Sequence, residues 1–226
     1  MGNIAAPWQA RAMPVDPSLL AAYLLAVVVL IVTPGPDMIF AVGQTLAGGP
    51  RRGWAATGGI MVGACCHVAL AAAGVSAAIA ASPALFDALR LAGAAYLLWI
   101  GAQAIRAAIR GGSLLIRPGD PRAGLRAAFR QGLVTNLTNP KVGLFFLAFL
   151  PQFVDPGRSP VWLQMLILGP LLPILALPAY WGLIAGASRV ADALRVGRAG
   201  RWLDAVAGLL FVGLGLRLLA EAWQAR

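Results

Sequence analysis

The sequence predicts an all-α membrane protein of six transmembrane helices, built as two inverted three-helix repeats with broken first and fourth helices. Three observations carry this expectation. Hydrophobic residues make up 60% of the 226-residue chain and charged residues 12%, with a mean hydropathy of +0.79. A soluble domain carries about a quarter charged residues, so the composition is that of a membrane protein. Six segments are long and apolar enough to cross a hydrocarbon layer roughly 30 Å thick. Two of them are interrupted by proline in matching places, with a charge after each interruption: Thr33-Pro34-Gly35-Pro36-Asp37 and Thr138-Asn139-Pro140-Lys141.

Residues 1–17, with Pro7, Arg11, Pro14 and Asp16, read as a flexible N-terminal tail. The apolar run that follows continues without a small-residue cleavage site, so it reads as a retained span rather than a signal peptide. Residues 18–108 form the first repeat, with spans at 18–47, 54–81 and 84–108. Within the first span, Pro34 and Pro36 cannot donate backbone hydrogen bonds, and Gly35 adds conformational freedom, so two half-helices are expected. Residues 109–126 read as a basic cytoplasmic connector, marked by Gly111-Gly112 and by Pro118-Gly119-Asp120-Pro121. Residues 127–226 form the second repeat, with spans at 127–150, 160–187 and 202–223. Its first span breaks at Asn139-Pro140, and Pro170, Pro173 and Pro178 should kink its second.

Six spans divide the loops between two sides. Arg51, Arg52, Arg106, Arg110, Arg117, Arg122, Arg126, Arg130, Arg189, Arg195, Arg198 and Arg201 fall on one side; Arg11, Arg90, Arg158, Arg217 and Arg226 fall on the other. The arginine-rich side should be cytoplasmic, which puts both termini outside. The same asymmetry explains the net charge of +10: cationic loops set topology and touch anionic lipid. Nucleic-acid binding is not expected, because no basic soluble module exists to carry it. An odd number of spans per repeat gives the two repeats opposite orientations. Gly59 with Gly63, and Gly182 with Gly186, are spaced for close helix packing, as are Gly93 and Gly101 about two turns apart.

The two breaks are the candidate site. Along straight helices at roughly 1.5 Å per residue, Lys141 lies about 16 Å from Arg130 and Asp37 about 21 Å from Arg51. Both charges thus fall near the middle of the bilayer, where insertion costs about 2.5–3.5 kcal/mol each unless a partner or water relieves it. Two readings stay open: a structural ion pair, or a hydrated cavity where half-helix ends meet. In the cavity, exposed N–H groups would face a carboxylate and freed carbonyls a cation. The candidate substrate-binding residues are Asp37, Lys141, Asn136, Asn139, Pro36, Gly35, Pro140 and Gln44. Lys141 is the only lysine, and its compact ammonium can release a proton where a guanidinium cannot. The amides of Asn136 and Asn139 would either satisfy freed backbone or bind the polar end of a ligand. Tyr180 is a weaker candidate. Proton coupling falls to Asp37 or to His67, the only histidine. The alternative for His67 is an interhelical hydrogen bond.

No resident metal or cofactor is expected. Cys65, Cys66 and His67 are consecutive and fan around one helix, which makes a poor ligand set, and adjacent cysteines do not form a disulfide framework. Trp8, Trp54, Trp162, Trp202 and Trp223 suit an interfacial belt, with Trp99 and Trp181 deeper, as packing. No nucleophile elbow, Walker loop or metalloprotease motif occurs, so the chain is not expected to be an enzyme.

Taken in order, the motifs resemble the LysE/RhtB family of amino-acid exporters. They are Thr33-Pro34-Gly35-Pro36-Asp37, Arg51-Arg52-Gly53, Gly59…Gly63…His67, Ala94-Ala95-Tyr96-Leu97-Leu98-Trp99-Ile100-Gly101, Phe129-Arg130-Gln131-Gly132 and Asn136-Leu137-Thr138-Asn139-Pro140-Lys141, followed by Phe145-Phe146. The resemblance covers nearly the whole chain. It implies a secondary exporter of small amino acids or related metabolites in a bacterial plasma (inner) membrane, driven by the proton or membrane gradient. A homo-oligomer is compatible with it. Many members of that family carry Asn where this chain has Asp37. Some carry a carboxylate in the second span, where it has Ala64, Cys65 and Cys66. Two other functions are weighed beside export of amino acids. One is a divalent-metal exporter using Asp37, Cys66 and His67. The other is a membrane thiol oxidoreductase or carrier, which would need cysteines in both halves, and the second half has none.

Overall fold

A computed structural model describes residues 13–110, 120, 122–189, 202, 205–206, 208–213, 215–216 and 219–220. Among these residues the regular structure is helical throughout. Eight α-helices follow in order: α1 (Pro17–Val32), α2 (Pro36–Gly48), α3 (Pro50–Ala81), α4 (Pro83–Arg110), α5 (Leu125–Leu137), α6 (Pro140–Leu144), α7 (Val161–Leu168) and α8 (Leu171–Ala185). Five of them begin at a proline, whose missing N–H costs nothing in a first turn and whose fixed φ suits the helix. A π-helical turn (Phe145–Phe149) and a 3-10 turn (Leu150–Phe153) extend α6.

The first predicted span is two helices, α1 and α2, bent by 45°. The fourth is also broken: α5 meets the run Pro140–Phe153 at 50°. Among the described residues, two helical stretches are long and apolar enough to cross a membrane unaided, Pro50–Ala77 in α3 and Val161–Ala185 through α7 and α8, and the two bent pairs bring the count to four. Helix α4 covers the predicted third span. The described residues between 202 and 220 are helical, within the predicted sixth span. Residues 1–12, 111–119 and 190–201, where much of the tail and connector was expected, lie outside the described residues. Of the tail, residues 14–16 are held: Val15 is buried, and Asp16 caps α1 by accepting from Ser18 N at 2.8 Å.

Helix α3 is the centre of the bundle, and its contact with α5 is the most extensive between any two described elements. Glycine makes that approach possible. A Cβ at Gly59 would overlap the Phe129 carbonyl, and one at Gly132 would overlap that of Ala56. Small residues let helix backbones touch where lipid offers no hydrophobic gain for association. Gly93 meets Ala148 of the π-turn, and Gly101 meets Gly208 and Val212. Gly182, by contrast, has nothing within 4 Å, so it makes no such contact. Tyr23, Phe145, Phe149 and Phe153 form an aromatic cluster that seats the start of α1 on the π- and 3-10 turns.

The outer faces are apolar: Leu25, Leu70, Ile174 and Leu209 are all exposed. That is the surface a lipid-facing bundle presents. Trp99 and Trp181, expected as packing residues, are 52% and 66% exposed. Position along a helix gave their depth, but not the face they occupy.

Candidate functional site

Each break frees a carbonyl that can be named from the sequence. An α-helical C=O bonds to the N–H four residues on, and proline has none. Pro34 therefore frees Leu30 O, and Pro140 frees Asn136 O. Both are taken by a side chain from elsewhere in the bundle. Lys141 Nζ donates to Leu30 O at 3.2 Å and to Thr33 O at 2.8 Å. His67 Nε2 lies 3.1 Å from Asn136 O. A carbonyl only accepts, so the hydrogen of that bond is on Nε2. Asn139 N also reaches Asn136 O at 3.0 Å.

Lys141 thus sits at the C-terminal end of α1, where the helix dipole favours a cation. Its own backbone is positioned by Asn139, the N-cap of α6, whose Oδ1 accepts from Lys141 N at 3.0 Å. Asp37 occupies the corresponding place at the N-terminus of α2, after Pro36. There the dipole favours a carboxylate. Asn136 Nδ2 donates to Asp37 Oδ2 at 2.8 Å across the two halves of the chain. Lys141 and Asn139 line the same cavity as Asp37. Asp37 is 7% exposed and Asn136 1% exposed. Asp37 Oδ1 and Asn136 Oδ1 are buried with no hydrogen-bond partner among the described residues. A buried acceptor left in this way is costly, and it marks a place that a donor can occupy.

These residues line a cavity of about 70 Å³ at the junction of the two breaks. At roughly 10–15 Å³ per water, it is large enough for a few water molecules. Its polar groups come from Thr33, Asp37, Asn136, Asn139, Lys141 and Tyr180; the remaining wall is apolar, including Ile60, Met61 and Leu172. Met38 and Met61 have flexible side chains that can make room for a larger occupant. A second, larger recess of about 340 Å³ lies beside His67, Asn139 and Gly143. Asn139 lines both, and His67 packs against Phe146 with ring centroids 6.5 Å apart.

Of the sequence candidates, Asp37, Lys141, Asn136, Asn139 and Gly35 come together around the cavity. Pro36 starts α2, and Pro140 lines the second recess beside His67. Gln44 is elsewhere: buried between Arg52 and Gln131, it accepts from Arg52 Nε at 2.9 Å and donates to Gln131 Oε1 at 3.2 Å. Tyr180 is in the wall, with Ala176 and Leu172 one and two turns before it on α8. That four-residue spacing was visible in the sequence, but α8 is apolar all round and offered no way to choose a face. Cys65 and Cys66 are exposed free thiols. Among the described residues, no three His, Cys, Asp or Glu side chains come together to hold a metal ion.

The family model described as LysE type translocator matches residues 28–222. An "Uncharacterized membrane protein" of Vibrio cholerae is 32% identical, the match covering 89% of this chain and 96% of that one. A "Leucine efflux protein" of Enterobacter sp. is 31% identical and another of Klebsiella pneumoniae 32%, each match covering 87% of this chain and 92% of the relative. No solved structure is significantly similar.

Proposed function

The chain belongs to the LysE type translocators, and on that premise we propose that it is a secondary transporter exporting small apolar amino acids by proton antiport. One observation carries the reading. A buried carboxylate with an unpartnered oxygen faces a cavity between two broken helices, polar where the breaks meet and apolar on its α3 and α8 walls. An apolar amino acid matches both parts. Its ammonium supplies the donor that Asp37 Oδ1 lacks, and its side chain packs on Ile60, Met61 and Leu172. Its carboxylate is held by the positive end of α2 and the charge of Lys141. The names of the two leucine efflux relatives support a branched aliphatic substrate.

Transport needs the site to face each side in turn. The two halves, each with one broken helix, rock as inverted repeats about the glycine-lined contact of α3 and α5. Asp37 exchanges the substrate ammonium for a proton, so that substrate leaves as a proton enters; His67 is the second candidate for that exchange. In this reading the exporter lies in a bacterial inner membrane, and the arginine asymmetry supports a cytoplasmic arginine-rich end with both termini outside.

The test is flux of labelled leucine in proteoliposomes under an imposed pH gradient. Gradient-dependent flux is expected in the parent, and none in Asp37→Asn or Lys141→Met. Full flux in both variants would remove the assigned roles.

A further inference from the structure

Among the described residues, hydrogen bonds between the two halves occur in three layers, and only the middle one of these belongs to the cavity. It consists of Asn136 on Asp37, Lys141 on the end of α1, and His67 on Asn136 O. A second layer lies toward the arginine-rich end. There Gln44 of α2 donates to Gln131 of α5 at 3.2 Å, while Arg52 holds Gln44 from behind at 2.9 Å. Gln44 and Arg52 are buried, whereas Gln131 is exposed. Gln44 is seven residues beyond Asp37 on α2, about 10 Å at 1.5 Å per residue.

The third layer lies at the opposite end. Arg158 donates to Asp16 Oδ2 at 2.7 Å, and Ser159 Oγ donates to Pro14 O at 3.1 Å. Asp16 precedes Leu30 by fourteen residues, about 21 Å along α1. The loop bearing Arg158 is held by a buried side chain. Gln164, fully buried, accepts from Asp155 N at 3.0 Å and donates to Asp155 O at 2.7 Å and Ser159 O at 2.8 Å.

Both end layers are individually weak: one is a long bond between neutral amides, and the other is a half-exposed ion pair. The α3–α5 crossing between them is backbone against backbone at Gly59 and Gly132, which makes it a suitable pivot. We propose that Gln44–Gln131, braced by Arg52, and Asp16–Arg158 are the two gates of the transport path, one opening while the other stays closed. Gln44 is then a gate residue rather than a ligand of the substrate. Alternating access needs one breakable contact at each end of a central site.

This inference rests on the transport reading, so its test uses a readout that needs no substrate. Met38, in the cavity wall, is changed to cysteine in a chain with Cys65→Ser and Cys66→Ser. Labelling by a membrane-impermeant maleimide is then measured from each face in oriented vesicles. Gln131→Ala should raise labelling several-fold from the arginine-rich face alone. Arg158→Ala should do so from the opposite face alone. Gln131→Glu puts a carboxylate against the Gln44 amide, a stronger acceptor, and should lower labelling from the arginine-rich face. Unchanged labelling in all three, or increases in both alanine variants from the same face, would overturn the gates. Absence of leucine flux in the parent, with face-specific labelling intact, would instead count against the substrate assignment alone.

Discussion

Gly63→Ala tests how the site is positioned, from a residue that does not line the cavity. A Cβ at Gly63 would lie 2.7 Å from Asn136 Oδ1 and 2.9 Å from its Cβ. Both are well inside van der Waals contact, so the Asn136 side chain must shift. Its bond to Asp37, 2.8 Å long, lengthens or breaks. A hydrogen bond to a charged group contributes about 1.5–3 kcal/mol. The substitution also gains roughly 1 kcal/mol of helix propensity. The net loss is then about 0.5–2 kcal/mol, and the protein still folds. If the whole bond serves to orient Asp37, substrate affinity falls about 10- to 100-fold, at 1.4 kcal/mol per factor of ten. The assay is concentration-dependent leucine flux in proteoliposomes, with thermal unfolding in detergent alongside. Gly74→Ala is the control: nothing lies within 4 Å of its added Cβ. It should raise the melting temperature and leave flux unchanged. Parental KM and maximal flux in Gly63→Ala, or an equal loss in Gly74→Ala, would refute the reasoning.

Lys141→Met removes two charge-assisted bonds, about 1.5–3 kcal/mol each, and also removes a mid-membrane charge that costs about 2.5–3.5 kcal/mol. The two bonds together outweigh that relief by roughly 1–2 kcal/mol at mid-range, so the variant should stay monodisperse on size exclusion, with a modestly lower melting temperature and no flux. Asp16→Ala should lower the melting temperature by uncapping α1. The Asp16 carboxyl is held below its ordinary value of 3.8, mainly by the Ser18 hydroxyl and N–H and also by Arg158. Its folded pKa is depressed, so its stabilisation is fully present above that value and is lost as pH falls through the lower folded one. The melting-temperature gap between parent and Asp16→Ala should therefore be flat from pH 5 to pH 8, as rough bounds above the free-carboxylate range, and close in acid. Cys65→Ser with Cys66→Ser should leave flux unchanged, because both thiols are exposed away from the cavity.

The breaks were legible because they follow from local rules. Proline has no N–H, so Leu30 O and Asn136 O can be identified as freed carbonyls by counting back four residues. Their partners were not, because each is a tertiary contact: Lys141 is 111 residues from Leu30, and His67 is 69 from Asn136. The opposed charges at the two breaks line one cavity, and the carbonyls at the end of α1, expected to face an ammonium or a cation, hold the protein's own Lys141. Gln44 shows the limit of proximity in sequence. It lies on the same half-helix as Asp37, but α2 leads away from the break, so Gln44 falls in a different layer. The cavity walls from α3 and α8 were hidden for a different reason. These helices are apolar on every face, and periodicity cannot separate a lipid-facing residue such as Trp181 from a cavity-facing one such as Tyr180.

The central claim is that an amino acid binds between the two breaks, with its ammonium on Asp37. An experimental structure with leucine bound tests this most directly. The account predicts the leucine nitrogen about 2.7–3.2 Å from Asp37 Oδ1, within hydrogen-bond range, and the aliphatic side chain against Ile60, Met61 and Leu172. Leucine bound elsewhere, with Asp37 Oδ1 still unpartnered or bonded only within the protein, would contradict it.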